Sequence, residues 1–266
     1  MLTLVIADGA ILSVGLIGNT LVIYVVARYA RMKTVTNVYI LNLSIADSLF
    51  LVGMPMIMTT ALLRQWVFGA VICRVFYVLT CINMFTGAFM LALMSADRFA
   101  AVWFPVSSAS YRTPSVAAVA AAVAWVASGV VMSPVVFYAE HFNRSAASDS
   151  ELPTYSCVVK FQDARIYVGY TVAVGFVLPV GAVCMFYVLL VWRLRSRRRH
   201  IKSITSKRQP RARRSLTCFV AVIIAVFIGC WLPYWCFQVC RYSPCLLPER
   251  TCACTRVHHN VYKITR

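Results

Sequence analysis

Asp47, Asp97 and Arg98 are ionisable residues inside long apolar runs, and Cys73 opens the run that Asp97 and Arg98 close. Charges buried in such runs are expensive and are kept for function or held by a partner. Asp47 can serve as a cation or proton site facing the interior of a helix bundle, or sit as a protonated carboxyl bonded to nearby backbone. Asn19 and Asn83 lie in two other runs, and a bond from Asn19 to Asp47 across helices is expected. Adjacent Asp97 and Arg98 form a local ion pair, with simple snorkelling of Arg98 as the plainer reading. Neither a Ser/His/Asp set, a phosphate loop nor a dinucleotide motif stands on a plausible scaffold, so no enzyme and no cofactor is expected. Cys252, Cys254, His258 and His259 have metal-like spacing, but in a short polar tail chance is the better account, and no metal is assigned. Arg213-Arg214-Ser215 resembles a kinase site of the kind basic segments contain by accident.

The elements that position these residues are membrane-spanning helices. Hydrophobic residues make up 61% of the chain and charged residues 13%, against about 25% charged in an average soluble domain. Six runs are long enough for a hydrocarbon core of about 30 Å: Leu4–Ala27, Tyr39–Leu62, Ile72–Val102, Ser115–Tyr138, Ile166–Trp192 and Leu216–Cys240. The expected fold is an all-α transmembrane bundle over residues 1–240. The net charge of +18 is not a nucleic-acid signal, because eleven of the 26 Lys and Arg lie between Arg193 and Arg214, in the loop 193–215. That excess, with Arg28, Arg31, Lys33, Arg98 and Arg112 on the same side, marks the cytoplasmic face. The segment Glu140–Asp163 then lies outside, with four of the eight acidic residues and the glycosylation sequon Asn143-Arg144-Ser145. A second sequon, at Asn42, falls mid-membrane and is expected to be silent.

From Cys73 to Arg98 the third span covers about 37 Å at ~1.5 Å per residue, so Cys73 sits outside and Arg98 inside. Cys157 is the cysteine of an outer loop with room to reach Cys73, and a disulfide between them would pin that loop over the mouth of the bundle. Pro179 and Pro233, deep in the fifth and sixth runs, remove backbone hydrogen bonds and kink helices. The stretch 241–266 is basic, carries cysteines and prolines, and has no apolar run that could span. It is expected to be a disordered tail, with a seventh helix and an extracellular N-terminal region both missing.

Taken in order, Gly18-Asn19-Thr20-Leu21-Val22, Leu43-Ser44-Ile45-Ala46-Asp47, Trp66-Val67-Phe68-Gly69, Cys73, Ser95-Ala96-Asp97-Arg98-Phe99 with Pro105, Trp125, Phe176-Val177-Leu178-Pro179 with Tyr187, and Cys230-Trp231-Leu232-Pro233-Tyr234 form a specific pattern. Over residues 10–240 the chain resembles rhodopsin-class G-protein-coupled receptors. Asn37–Asp47, Asn83-Met84-Phe85-Thr86 and Ala92–Arg98 look like the somatostatin, opioid and galanin group, with the nearest likeness to invertebrate allatostatin-C receptors.

The resemblance implies roles. Arg98 would leave Asp97 on activation and engage the G protein, with Phe99 in place of the family's usual Tyr. Val106 would enter an apolar pocket on the G protein, and Thr217 would meet Arg98 at rest. Phe227, Trp231 and Pro233, with Asp47 and Tyr187, would complete the switch. Thr80, Asn83, Met84, Phe176, Gln238 and the loop near Cys157 would form the ligand site. Two substitutions depart from the group: Thr80 stands where somatostatin and opioid receptors carry a ligand-anchoring Asp, and Gly87 where a Ser helps hold sodium beside Asp47. Sodium control through Asp47 is therefore in doubt, with Asn83 as a substitute ligand. The implied function is a plasma-membrane receptor for a small extracellular neuropeptide, acting on a heterotrimeric G protein of inhibitory type. The alternative is a non-signalling fragment, retained in the endoplasmic reticulum or paired with another receptor protomer in the lipid. Nucleic acid is not an expected partner.

Overall fold

The computed structural model describes residues 2–29, 32, 34–143, 154–160, 164–200 and 209–242. Four long helices come first: α1 (Leu2–Arg28), α2 (Val35–Leu63), α3 (Gly69–Trp103) and α4 (Pro114–Phe137). Their ends follow local chemistry. Thr34 caps α2 by accepting from the Asn37 N–H at 3.3 Å, and α2 ends at Arg64 in the left-handed region, φ 55°. Thr113 caps α4 in the same way, accepting from the Val116 N–H, and Pro114 supplies the fixed φ suited to a first helical turn. The strands β1 (Ala139–Asn143) and β2 (Tyr155–Val159) pair antiparallel, with His141 opposite Cys157.

The chain divides into two compact units. The first contains residues 1–160 and 182–204. In it α1 packs on α2, α2 on α3 and α4, and α3 on α4. The core follows the inner face of α3, where Phe85, Ala88, Leu91, Met94 and Ser95 are at most 2% exposed and recur at helical spacing. Polar ties join the helices where apolar packing alone would leave their register loose. The indole Nε1 of Trp125 on α4 donates to Asn42 Oδ1 on α2 at 2.9 Å. Buried Thr86 on α3 donates to Ser128 on α4 at 2.9 Å, and Ser128 donates on to the Ala124 carbonyl. At Gly15 a methyl group would lie 2.9 Å from Leu51 Cδ1, so glycine permits the close approach of α1 to α2.

The second unit contains residues 161–181 and 205–266. Its α5 (Ala164–Val172) packs against α7 (Gln209–Tyr242). After α5, residues Ala173–Val177 form a π-turn in which the Leu178 N–H reaches back to the Ala173 carbonyl. The chain continues as α6 (Leu178–His200). Pro179 has no N–H to offer the preceding turn, and the wider π-turn is the local answer to that deficit. Pro233 lies inside α7.

Five helices among the described residues are long and apolar enough to cross a membrane; α5, the π-turn and part of α6 together make one of them, Arg165–Arg193. A shorter apolar stretch, Ile224–Cys240, lies within α7. The outward faces of α1 and α4 expose Ile6, Val14, Ile17, Val123 and Val130 by 62–72%. Aligned along whole helices, such residues would form adhesive patches in water and are at home in lipid. The chain is a multi-pass helical membrane protein.

Two local expectations are corrected. Asn19 does not reach Asp47; its Nδ2 donates to the Gly15 carbonyl at 2.9 Å, a bond within α1. The segment Glu140–Asp163 is more than a polar loop, since it contains the β1–β2 hairpin.

Candidate functional site

At its Cys73 end α3 is stapled to the hairpin. Cys73 is fully buried and disulfide-bonded to Cys157 with a Cα–Cα distance of 5.6 Å, within the range such a bond requires. Three further contacts hold the hairpin. Tyr77 donates its hydroxyl to the Cys157 carbonyl at 3.5 Å, Arg74 Nε donates to the Ala139 carbonyl at 3.5 Å, and the Trp66 N–H donates to the Tyr155 carbonyl at 2.9 Å. Trp66 itself is 4% exposed, with its indole N–H on the Gly69 carbonyl and its ring against Phe68 and Phe76. On the hairpin, His141 stacks on Tyr155 at 4.5 Å, and Lys160 lies 4.3 Å above the Phe142 ring and 3.9 Å from Glu140. Asn143 ends β1, paired with Tyr155; the rest of its sequon lies outside the described residues.

About two to three turns along α3 from Cys73 come Thr80, Asn83 and Met84. The Thr80 hydroxyl is committed to its own helix, donating to the Phe76 carbonyl at 2.9 Å. Met84 is 8% exposed. Asn83 Nδ2 donates to Asp47 Oδ1 at 2.6 Å, which brings two of the sequence candidates together across α2 and α3. Gly87 is buried and brings no side-chain oxygen, and the space where a Cβ would stand faces Leu43 at 3.5 Å. With one Asp47 oxygen engaged by Asn83 and no side-chain oxygen at Gly87, these residues fit a sodium ion poorly.

At the other end of α3 the Asp97 side chain is 5% exposed between two guanidiniums. Arg98 Nη2 lies 3.0 Å from Oδ2, and Arg112 Nε lies 2.7 Å from Oδ1. Tyr187 lies on α6, next to the Phe186 that meets Phe99. Phe99 meets Phe186 at 5.5 Å and Trp103 at 5.1 Å; Trp103 stacks on Trp192 at 5.7 Å. Val106 projects from the following turn and is 86% exposed. Arg112 escaped sequence reasoning as an Asp97 partner. Its one signal was a cation shortly after Asp97, and only the folded turn between α3 and α4 turns that separation into contact.

The second unit gathers the remaining candidates. Phe176, in the π-turn and 7% exposed, lies 6.3 Å from Trp235. Phe227, Trp231 and Trp235 form a ladder of rings along α7 with centroids 6.1 and 6.4 Å apart, and Tyr234 closes on both tryptophans. Gln238 Nε2 donates to the Tyr234 hydroxyl at 2.9 Å. The Thr217 side chain, and the loop and tail residues 201–208 and 243–266 with Cys252, Cys254, His258 and His259, lie outside the described residues.

The sequence model of the 7 transmembrane receptor (rhodopsin family) matches residues 18–266. The chain is 41% identical to the somatostatin receptor type 1 of Rattus norvegicus over 229 residues, covering 85% of this chain and 57% of the relative. It is 38% identical to the somatostatin receptor type 2 of Mus musculus, covering 88% and 63%, and 38% identical to the somatostatin receptor type 3 of Homo sapiens, covering 89% and 55%. The chain thus spans somewhat over half the length of these curated relatives. A match over nearly all of its residues, on a bundle whose third helix carries the stapled hairpin at one end and the Asp97–Arg98 pair at the other, shows that this chain belongs to the rhodopsin family of seven-transmembrane receptors.

Proposed function

We propose that the protein is a plasma-membrane receptor for a small extracellular peptide of the somatostatin or allatostatin-C type, acting through an inhibitory-type heterotrimeric G protein. The observation that carries the reading is the continuity of α3. One rigid helix holds the disulfide-pinned hairpin at Cys73 and, about 37 Å away by helical rise, the Asp97–Arg98 pair. A ligand that favours one arrangement at the first end shifts the population of states at the second. Thr80, Asn83, Met84, Phe176 and Gln238 are assigned to the ligand site. Asp47, Asp97, Arg98, Phe99, Tyr187, Phe227, Trp231 and Pro233 are assigned to the switch, and Arg98, Val106 and Thr217 to the G-protein face. Val106, bare at 86% exposure, suits an apolar pocket on a partner. The basic segment 193–215 is placed in the cytoplasm and the hairpin outside. No observation favours the non-signalling alternative.

Expression of the chain in cells, a panel of cyclic and linear peptides of both types, and measurement of nucleotide exchange on purified inhibitory-type G protein test the reading. Peptide-driven exchange that falls at least tenfold in Arg98→Ala is expected; no exchange with any peptide overturns it. The ligand chemistry has its own test. Thr80 has no carboxylate and its hydroxyl is used on Phe76, so the peptide is held without a charge-assisted anchor at that position. Thr80→Asp should raise affinity for lysine-bearing peptides on the order of tenfold, from a bond worth about 1.5–3 kcal/mol less its desolvation, and leave peptides without a cation unimproved. Competition binding reads both arms.

A further inference from the structure

Four carboxylates fall among the described residues, and three of them have partners. Asn83 donates to Asp47, Arg98 and Arg112 flank Asp97, and Lys160 faces Glu140. Asp8 on α1 has neither a hydrogen bond nor an ion pair among the described residues. Val5, Asp8, Leu12, Gly15, Asn19 and Val26 are half-buried or buried and recur at helical spacing, whereas Ile6, Ile11, Val14 and Ile17 are at least 58% exposed. The shielded stripe is the face that α2 covers. At Gly15 a methyl group would press on Leu51, and at Gly9, beside Asp8, it would stand 3.7 Å from Met58 Cε. A carboxylate seeking only the headgroup layer could stand on any face of α1. This one stands on the packed face, with Val5 and Leu12 about a turn to either side.

The height is as specific as the face. Asp8 lies about 30 Å of helical rise from Arg28, at the outer end of α1 in the orientation proposed above. Met58 is near the end of α2, beyond which the Trp66 N–H holds the Tyr155 carbonyl of the hairpin. Asp8 therefore shares the hairpin's end of the bundle. Thr80 lies deeper. A Cβ at Gly53 would meet the Phe76 ring at 3.5 Å, which ties the two helices at that level, and Thr80 is a further turn inward. By helical rise Asp8 stands about 13 Å nearer the mouth than Thr80. Charged groups on packed faces are kept with a partner, and the described residues supply none here.

We propose that Asp8 is the cation anchor of the ligand site, accepting from a lysine or arginine side chain or from the N-terminal ammonium of the bound peptide. The proposal rests on the peptide-receptor reading given above and adds a group which that reading lacks, since Thr80 brings no carboxylate and its hydroxyl is engaged by the Phe76 carbonyl. A charge-assisted bond at the mouth holds the cation without drawing it into the apolar depth of the bundle, so the peptide's charged group and its apolar remainder are held at different levels.

The test uses the full chain in lipid nanodiscs and the most tightly bound peptide of the panel. That peptide is also prepared with each cationic group removed in turn: the N-terminus acetylated, each lysine or arginine replaced by norleucine. Wild type, Asp8→Asn and Asp8→Glu are compared by competition binding. Asp8→Asn should weaken the unmodified peptide on the order of tenfold or more, and Asp8→Glu, which keeps the charge, should recover part of the loss. One modified peptide should bind the wild type more weakly to a similar degree, and Asp8→Asn should alter its binding less than about twofold, because both changes remove the same bond. An equal further loss with every modified peptide overturns the proposal, as does a tightest peptide that carries no cation. Thermal unfolding without peptide is the second readout. Asp8→Asn should hold or raise the unfolding temperature, since it removes an unpaired charge from a packed face. A fall of several degrees would show that the chain itself already pairs Asp8, and overturns the proposal. Should peptide bind the wild type and Asp8→Asn alike, the proposal alone fails; should no peptide bind the wild type, the receptor reading fails and the proposal with it.

Discussion

Asn83 gives Asp47 a side-chain donor at 2.6 Å, across α2 and α3. Replacing it by Leu removes a bond to a carboxyl group, an effect of about 1.5–3 kcal/mol. Asn83→Leu should therefore lower the unfolding temperature in detergent by several degrees, more than Trp125→Phe. The latter deletes a neutral bond to Asn42, of the kind that averages about 0.6 kcal/mol between membrane helices. A smaller shift for Asn83→Leu than for Trp125→Phe would refute the ranking. Much of this scale was legible beforehand: Asp47, Asn83, Asp97 and Arg98 stand out because polar groups in apolar runs are rare. Partners were harder to read. Asn19 looked as eligible for Asp47 as Asn83 did, and only the rotation of each helix about its axis decides that Asn19 turns to its own backbone. Arg112 was invisible for a related reason, since a turn follows no period.

The hairpin is the element whose loss the structure makes easiest to foresee. Its two strands have five residues each, too few to be stable alone, and they stand because Cys157, Tyr155 and Ala139 are fastened to α3 and to Trp66. In a chain-entropy picture a bridge closing a loop of 84 residues contributes up to about 4–5 kcal/mol, less where α3 and α4 already restrict the ends. Cys157→Ser should lower the unfolding temperature and weaken peptide binding at least tenfold, with Cys73→Ser adding nothing further in the double variant. Additive losses would show that each cysteine acts on its own. The strands were not legible in the sequence. Ala139–Asn143 and Tyr155–Val159 are short, half-buried and without clean alternation, so neither period stands out, whereas the helices announce themselves by runs of some twenty apolar residues.

For the whole molecule, charge and hydropathy agree on one orientation. In sequence, the eleven cations between Arg193 and Arg214 and the acidic segment that contains Asn143 flank the apolar span Arg165–Arg193, and the proposed reading puts the first in the cytoplasm and the second outside. Two measurements check it together. Asn143→Gln should remove one endoglycosidase-sensitive mass step, and a protease should reach the segment 193–214 only after cells are permeabilised. Cleavage on intact cells would reverse the assignment.

The disulfide that pins the hairpin also sets an order of assembly. Cys157 lies three residues before Lys160, the end of the contiguous stretch 1–160 in which α1 to α4 pack upon one another. Everything that this stretch needs, including both sulfurs, precedes α7 in the chain and can leave the ribosome before α7 is complete. Oxidation can thus seal the first four helices as a finished subassembly while the rest of the chain is still in synthesis. Radiolabelled nascent chains stalled some sixty codons past Cys157 should already show the faster non-reduced mobility of the closed loop, and chains stalled with Cys157 inside the ribosomal tunnel should not.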